Sequence, residues 1–191
     1  MRERTMIRTI AILALWLSLS NTSFAQQVFG TVSITVPLYV TGNSVGNTAD
    51  TNEDILQTYT VPQNTVVNVG DRLRIFAGGA CAASTDTKNP ALRIGGIGGT
   101  LMIQPTCNAV GQINWSLVAE IVKTGSNTQS FSALGNVTNG NASGTKSGTA
   151  SSQLDTSTVQ IVVTGKNSTS ATANSITCQY FSVDLIKGPS S

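Results

Sequence analysis

The sequence predicts an all-β domain: a single jelly-roll β-sandwich of about eight to nine antiparallel strands, preceded by a short hydrophobic signal helix. Three observations predict it. Val, Ile and Thr recur with period two in one segment after another, the alternation of a strand that buries one face. The segments are separated by clusters of Gly, Asn, Asp, Ser and Pro, which break regular structure. Charged residues make up only 10% of the chain, and scarce lysine and glutamate beside abundant β-branched residues suit strands far better than helices.

The front of the chain reads differently. Arg2, Arg4 and Arg8 stand against Glu3, an apolar run extends from Ile10 to Leu19, and Ser23-Phe24-Ala25 follows. A basic start, a short apolar stretch and small residues one and three positions before a cut form a secretory signal. The run is well under the ~20 residues that cross a bilayer. The expected organisation is a signal peptide over residues 1–25, an N-terminal strand and polar loop over 26–54, and the jelly-roll domain over 55–191. The expected location is outside the cytoplasm, secreted or periplasmic, with membrane attachment only if the signal segment is retained.

Val28 to Val36 alternate and break at Pro37, before Leu38-Tyr39-Val40; Thr41 to Asp54 form a polar loop. Ile55–Val61 is a second strand, stopped at Pro62. Gly70-Asp71 turns into Arg72–Ala77, with Leu73, Ile75 and Ala77 inward and both arginines outward. Gly78 to Pro90 reads as a loop of small residues. Ala91–Ile94 and Thr100–Ile103 flank the Gly95–Gly99 turn. Val110–Thr124 is the longest apolar stretch after the front segment, and the alternation of Ile113, Trp115, Leu117 and Ala119 favours a strand over a helix. Gln129–Leu134 is a shorter strand, and the low-complexity run Asn136–Ser152 reads as a loop. Thr158–Thr164 and Cys178–Ile186 close the domain. In the last strand the inward phase changes between Tyr180 and Phe181, which predicts a bulge.

From Gln26 onward basic and acidic residues balance, so the formal charge of +2 resides in the signal segment. A neutral domain has no electrostatic hold on phosphate backbones, which excludes nucleic acid as a partner. The chain has no histidine, and no serine, cysteine or lysine has an evident activating base, so no catalytic residue and no enzyme are expected. No cofactor motif is present either. The Gly95–Gly99 run is followed by no helix former and reads as a turn, not a phosphate cradle. Asp50-Thr51-Asn52-Glu53-Asp54 begins like a calcium loop, but Ile55 and Val61 stand where such a loop needs Gly and Glu. An acidic turn is the preferred reading, leaving Asp50, Asn52 and Asp54 as weak metal candidates. Trp115, Tyr39, Tyr59 and Tyr180 are the large amphipathic aromatics, able to stack on sugar rings if they line a groove. Tyr39, Tyr59 and Trp115 are the weak ligand candidates, although Trp115 is in phase with Ile113 and Leu117 and reads as core.

Three cysteines follow the signal segment: Cys81, Cys107 and Cys178. Outside the cytoplasm an odd number leaves one disulfide and a spare thiol, or a bond between chains. The preferred pair is Cys81–Cys107, which closes about 26 residues and is worth roughly 3 kcal/mol in the chain-entropy model. Cys178 is then a buried free thiol, or the alternative partner of Cys81. Wide spacings without histidine argue against a zinc site.

Beyond periodicity, several stretches occur in a telling order. Tyr59-Thr-Val-Pro-Gln-Asn-Thr65 precedes Gly70-Asp-Arg-Leu-Arg-Ile75 and Ala91-Leu-Arg-Ile-Gly-Gly96. Then come Ile113-Asn-Trp-Ser-Leu-Val-Ala-Glu-Ile-Val-Lys-Thr-Gly125, Asp155-Thr-Ser-Thr-Val-Gln-Ile-Val-Val163 and Phe181-Ser-Val-Asp-Leu-Ile186. This succession resembles the tumour necrosis factor-like jelly-roll domain of bacteriophage tail, fibre and capsid-appendage proteins, over residues 55–187. The resemblance implies a non-enzymatic structural or assembly protein. It implies a homotrimer packed around an apolar axis, acting as a virion appendage or fibre tip, with virion proteins, cell-surface proteins or glycans as partners. The signal segment and the cysteines depart from that pattern. They suit the alternative, a secreted bacterial binding module of the same fold that adheres to a cell surface or a glycan.

Overall fold

Period-two segments fold as strands here because each can bury one face against a second sheet while its polar face stays wet. The computed structural model describes residues 33–108, 111–126, 128–138, 144–149, 157–169 and 172–188. The expected signal helix, the cut after Ala25 and the start of the strand expected from Val28 lie outside the described residues. In chain order the strands are β1 (Thr35–Thr41), β2 (Val45–Gly46), β3 (Glu53–Val61), β4 (Arg72–Cys81), β5 (Lys88–Ile94) and β6 (Thr100–Ile103). They continue with β7 (Ile113–Gly125), β8 (Thr128–Val137), β9 (Gly144–Thr149), β10 (Val159–Asn167) and β11 (Ile176–Ile186).

The strands make two sheets, a β-sandwich in which the described pairings are antiparallel. The large sheet has the order β1-β11-β4-β7-β8-β9, with β2 also on β11; the small sheet has the order β3-β10-β5-β6. The chain passes repeatedly from one sheet to the other: β1 and β4 are large-sheet strands around β3, and β7 to β9 separate β6 from β10. Residues read as an N-terminal strand and loop thus contribute β1 to the sandwich, and Ile34–Ser191 forms one compact unit. Leu73, Ile75 and Ala77 of β4, Ile113, Trp115, Leu117, Ala119 and Ile121 of β7, and Phe181 and Val183 of β11 face inward. There they meet Leu92, Ile94, Ile161 and Val163 of the small sheet in one buried cluster. Burying each large aliphatic side chain contributes roughly 1.5–3 kcal/mol.

Three expectations are corrected. Gly78 to Cys81 do not begin a loop: they continue β4 between β11 and β7. Glycine stands there for a packing reason. A Cβ at Gly78 would lie 2.2 Å from Tyr180 Oη, and one at Gly79 would lie 1.8 Å from the Thr177 carbonyl oxygen. Pro37 does not end β1 either. Among the described residues the strand runs through it at the edge of the sheet, with no further strand on its outer side, and shifts register between Pro37 and Tyr39. The run Asn136–Ser152 contains β9, paired along β8. Hence eleven strands form among the described residues, more than the eight or nine expected. The bulge of β11 is present, with its register shift between Cys178 and Tyr180.

The two ends of the sandwich are closed by different chemistry. At the end where β4 begins, the buried Asp71 carboxylate accepts from the backbone N–H groups of Val67 (3.1 Å), Asn68 (3.0 Å) and Gly188 (2.9 Å) and from Lys187 Nζ (3.1 Å). Burial pushes its carboxyl up, but the bonds from Asn68, Gly188, Lys187 and Val67 outweigh that and hold it below the usual value. At the opposite end Asn47, Asn167 and Ser175, all buried, form an uncharged network. Asn47 Oδ1 accepts from Ile176 N (2.8 Å), and Ser175 Oγ donates to Asn167 Oδ1 (2.6 Å).

Candidate functional site

Because alternate residues of each strand point inward, the others form transverse rows on the outer face of the large sheet. Register places Asp184, Arg74, Glu120, Ser132 and Ser147 in one row. Ser182, Phe76, Val118, Leu134 and Thr145 form the next, and Tyr180, Gly78, Ser116 and Asn136 the third. Along the strands the face therefore changes from charged, through apolar, to polar and aromatic. In the charged row Arg74 Nε and Nη2 donate to Glu120 Oε1 at 3.0 and 2.8 Å, and Arg72 Nη1 lies 3.8 Å from Glu120 Oε2.

Two hollows open on this face. One, of about 460 Å³, lies over the first two rows and is lined by Val118, Glu120, Ser132, Leu134, Thr145 and Ser147 among others. The second, of about 330 Å³, is lined by Asn114, Ser116, Asn136, Thr138, Gln179 and Tyr180, with Gly79 and Trp115 at its floor. The β11 bulge makes this second groove. Both Gln179 and Tyr180 are exposed, between the inward Cys178 and Phe181. Partial burial of the Tyr180 ring, with the Cys178 thiol beside it, raises the phenol above its usual value.

Of the three aromatic ligand candidates read from the sequence, Tyr39 and Tyr59 lie away from this groove, and Trp115 reaches it only from beneath. Trp115 is 3% exposed and belongs to the core, and its indole N–H has no partner among the described residues. Tyr39 stacks on Tyr59 at 5.2 Å between centroids and tilts against Phe181 at 5.6 Å; both tyrosines pack on the core. Asp50 accepts from Asn52 N (2.8 Å) and Asn52 Nδ2 (3.1 Å), while Asp54 accepts from Thr48 N (2.8 Å) and Thr48 Oγ1 (2.9 Å). These side chains cap turns of their own loop. No group of three or more His, Cys, Asp or Glu side chains converges among the described residues.

The three cysteines are buried thiols, and two of them meet. Cys81, the last residue of β4, and Cys107, which pairs with Lys88 by two backbone bonds of 2.8 Å, share a side-chain hydrogen bond. That bond and burial raise the Cys81 thiol, and the same bond lowers that of Cys107 against the effect of burial. The Lys88 ammonium, which favours the thiolate of both, is buried and donates to Ser84 Oγ at 2.6 Å and the Asp86 carbonyl at 3.1 Å. Cys178 is apart, its thiol pushed up to about 12 by burial and donating to the Tyr180 carbonyl at 3.3 Å.

Fold and site define a class: an antiparallel β-sandwich whose larger sheet presents a graded outer face with an uncharged aromatic groove. No family model matches the chain, and no curated protein matches it. Among solved structures it is similar to the CBM2 module of the Lactobacillus casei BL23 phage J-1 evolved Dit. The two share 9% identity and a TM-score of 0.35, with 70% of each chain covered. A likeness that loose assigns neither ligand nor role.

Proposed function

We propose that the domain is a non-enzymatic jelly-roll assembly protein of the phage-appendage type, built as a homotrimer. The observation that carries this reading is strand order. Leaving out β2 and the β8–β9 hairpin, the sheets run β1-β11-β4-β7 and β3-β10-β5-β6, the two four-stranded layers of a doubled Greek key. The hairpin extends the large sheet beyond β7 and widens its outer face. The apolar row of Phe76, Val118 and Leu134, with exposed Val40 opposite Ser182, supports association of this face with other protein. Sedimentation or mass photometry of the full chain after export tests the reading: a trimer is expected, and a strict monomer at micromolar concentration removes it.

In the same proposal, residues 1–25 direct export and are removed after Ala25, and Cys81 and Cys107 then oxidise to a disulfide while Cys178 stays free. The shared hydrogen bond of the first two thiols supports that pairing. Mass spectrometry of the exported protein under non-reducing digestion checks both points. A second reading, a secreted module that adheres to a cell surface, is favoured by the separate observation of the groove around Tyr180.

A further inference from the structure

The geometry points to the groove beside Tyr180 as a binding site for a pyranose ring of an uncharged glycan. Tyr180 is 46% exposed, and the phenol end of its ring covers Gly78. A Cβ there would sit 2.2, 2.3 and 2.4 Å from Oη, Cζ and Cε1. The missing side chain of Gly78 is thus the slot that seats the ring, and the ring is held on the sheet before any ligand arrives. A preplaced aromatic surface offers stacking area without the cost of ordering a side chain on binding.

The polar surroundings fit the same ligand. The Asn114 and Gln179 carboxamides and the Ser116 hydroxyl line the groove, and no protein group among the described residues bonds these side chains. A carboxamide both donates and accepts in one plane, as do neighbouring sugar hydroxyls. Asn136 adds a third carboxamide, from β8. Among the described residues no charged side chain lines the groove; the nearest charged row, Asp184, Arg74 and Glu120, holds the Arg74–Glu120 ion pair and lies two rows away along the strands. An anionic ligand finds no counter-charge here, whereas a neutral sugar has a flat apolar face for the tyrosine and a hydroxyl rim for the amides. The groove volume of about 330 Å³ is at the small end of the ~300–1,000 Å³ typical of small-molecule sites. The side chains stand on β7, β8 and β11 of one sheet, so their spacing is fixed by register.

This inference rests on the adhesion reading and not on the trimer. The test uses the full exported chain on an array of neutral oligosaccharides (gluco-, galacto- and N-acetylglucosamine series), with sulfated and uronic-acid glycans and acidic peptides as comparators. Calorimetry on the best binder follows. Binding of at least one neutral series is expected. Tyr180→Ala should weaken it about tenfold or more, Tyr180→Phe should largely preserve it, and Asn114→Ala should weaken it less than Tyr180→Ala. Leu134→Ser, in the neighbouring hollow, should leave it unchanged. Should Tyr180→Ala fail to fold, side-chain amide shifts of Asn114 and Gln179 during titration of the unaltered protein decide the matter. Absence of binding across the neutral series, preference for the anionic comparators, or shifts confined to another face each overturn the inference. Mass photometry of the same sample separates the outcomes: a trimer that binds no sugar refutes only this site, and a monomer that binds refutes only the assembly reading.

Discussion

The two ends of the sandwich perform the same task, closing a core that the sheets leave open, with opposite chemistry. The Asp71 end gathers three backbone N–H groups and one ammonium around a buried carboxylate. The Cys81 end uses amides and hydroxyls for its main network, with two thiols and a buried lysine next to it. The first closure depends on a proton being absent and the second on none of its network groups ionising. One end should therefore respond to acid and the other, through its thiols, to oxidant.

The largest expected effect is at the charged end. Asp71→Ala removes the buried acceptor shared by three backbone N–H groups and the Lys187 ammonium and should cost about 3 kcal/mol, read as a fall in the urea midpoint. The same carboxyl gives a pH signature. Its folded pKa is below the unfolded 3.8, so its contribution is present above that unfolded value and is lost as pH falls through the folded one. Unfolding free energy measured in acid should decline over that window in the unaltered protein and decline less in Asp71→Asn. Next in size is oxidation at the other end. Closing Cys81–Cys107 should raise stability by roughly 3 kcal/mol over the reduced protein, and Cys107→Ser should abolish the difference while Cys178→Ser keeps it. Asn47→Ala should cost about 2 kcal/mol by orphaning Ile176 N–H, with no change of slope in acid; an equal slope change in both variants would erase the contrast between the ends. Smallest is Arg74→Ala on the exposed face, at most about 1 kcal/mol, vanishing at high salt.

The inward phase of β4 and β7 was legible because a strand with one buried face writes its burial directly as alternation, from Leu73 to Ala77 and from Ile113 to Ala119. The continuation of β4 through Gly78 and Gly79 was not. Glycine signals a loop unless one knows that Tyr180, a hundred residues later, lies on top of it. The bulge in β11 showed as a change of phase, yet its consequence, that Tyr180 faces outward onto a groove, depended on which strands became neighbours. Trp115 betrayed its burial by its phase; Tyr39 and Tyr59 did not, since their stacking joins β1 of one sheet to β3 of the other. Cys81 and Cys107 meet because the chain crosses from the large sheet to the small one after β4 and Cys107 then pairs back on Lys88 at the start of β5, a matter of topology that spacing alone leaves among three pairings.

The borders of the large sheet have a consequence for crowding. Among the described residues, β1 carries Pro37 and a register break along one border, and β9 ends the other with six mostly polar residues, including Lys146. A proline and a slipped ladder withhold the regular row of free N–H and C=O groups that a foreign strand needs, and a short polar border offers it little to hold. At high local concentration a sheet bordered in this way resists runaway fibre-like stacking. Contact between copies is then left to side-chain surfaces instead of backbone ladders.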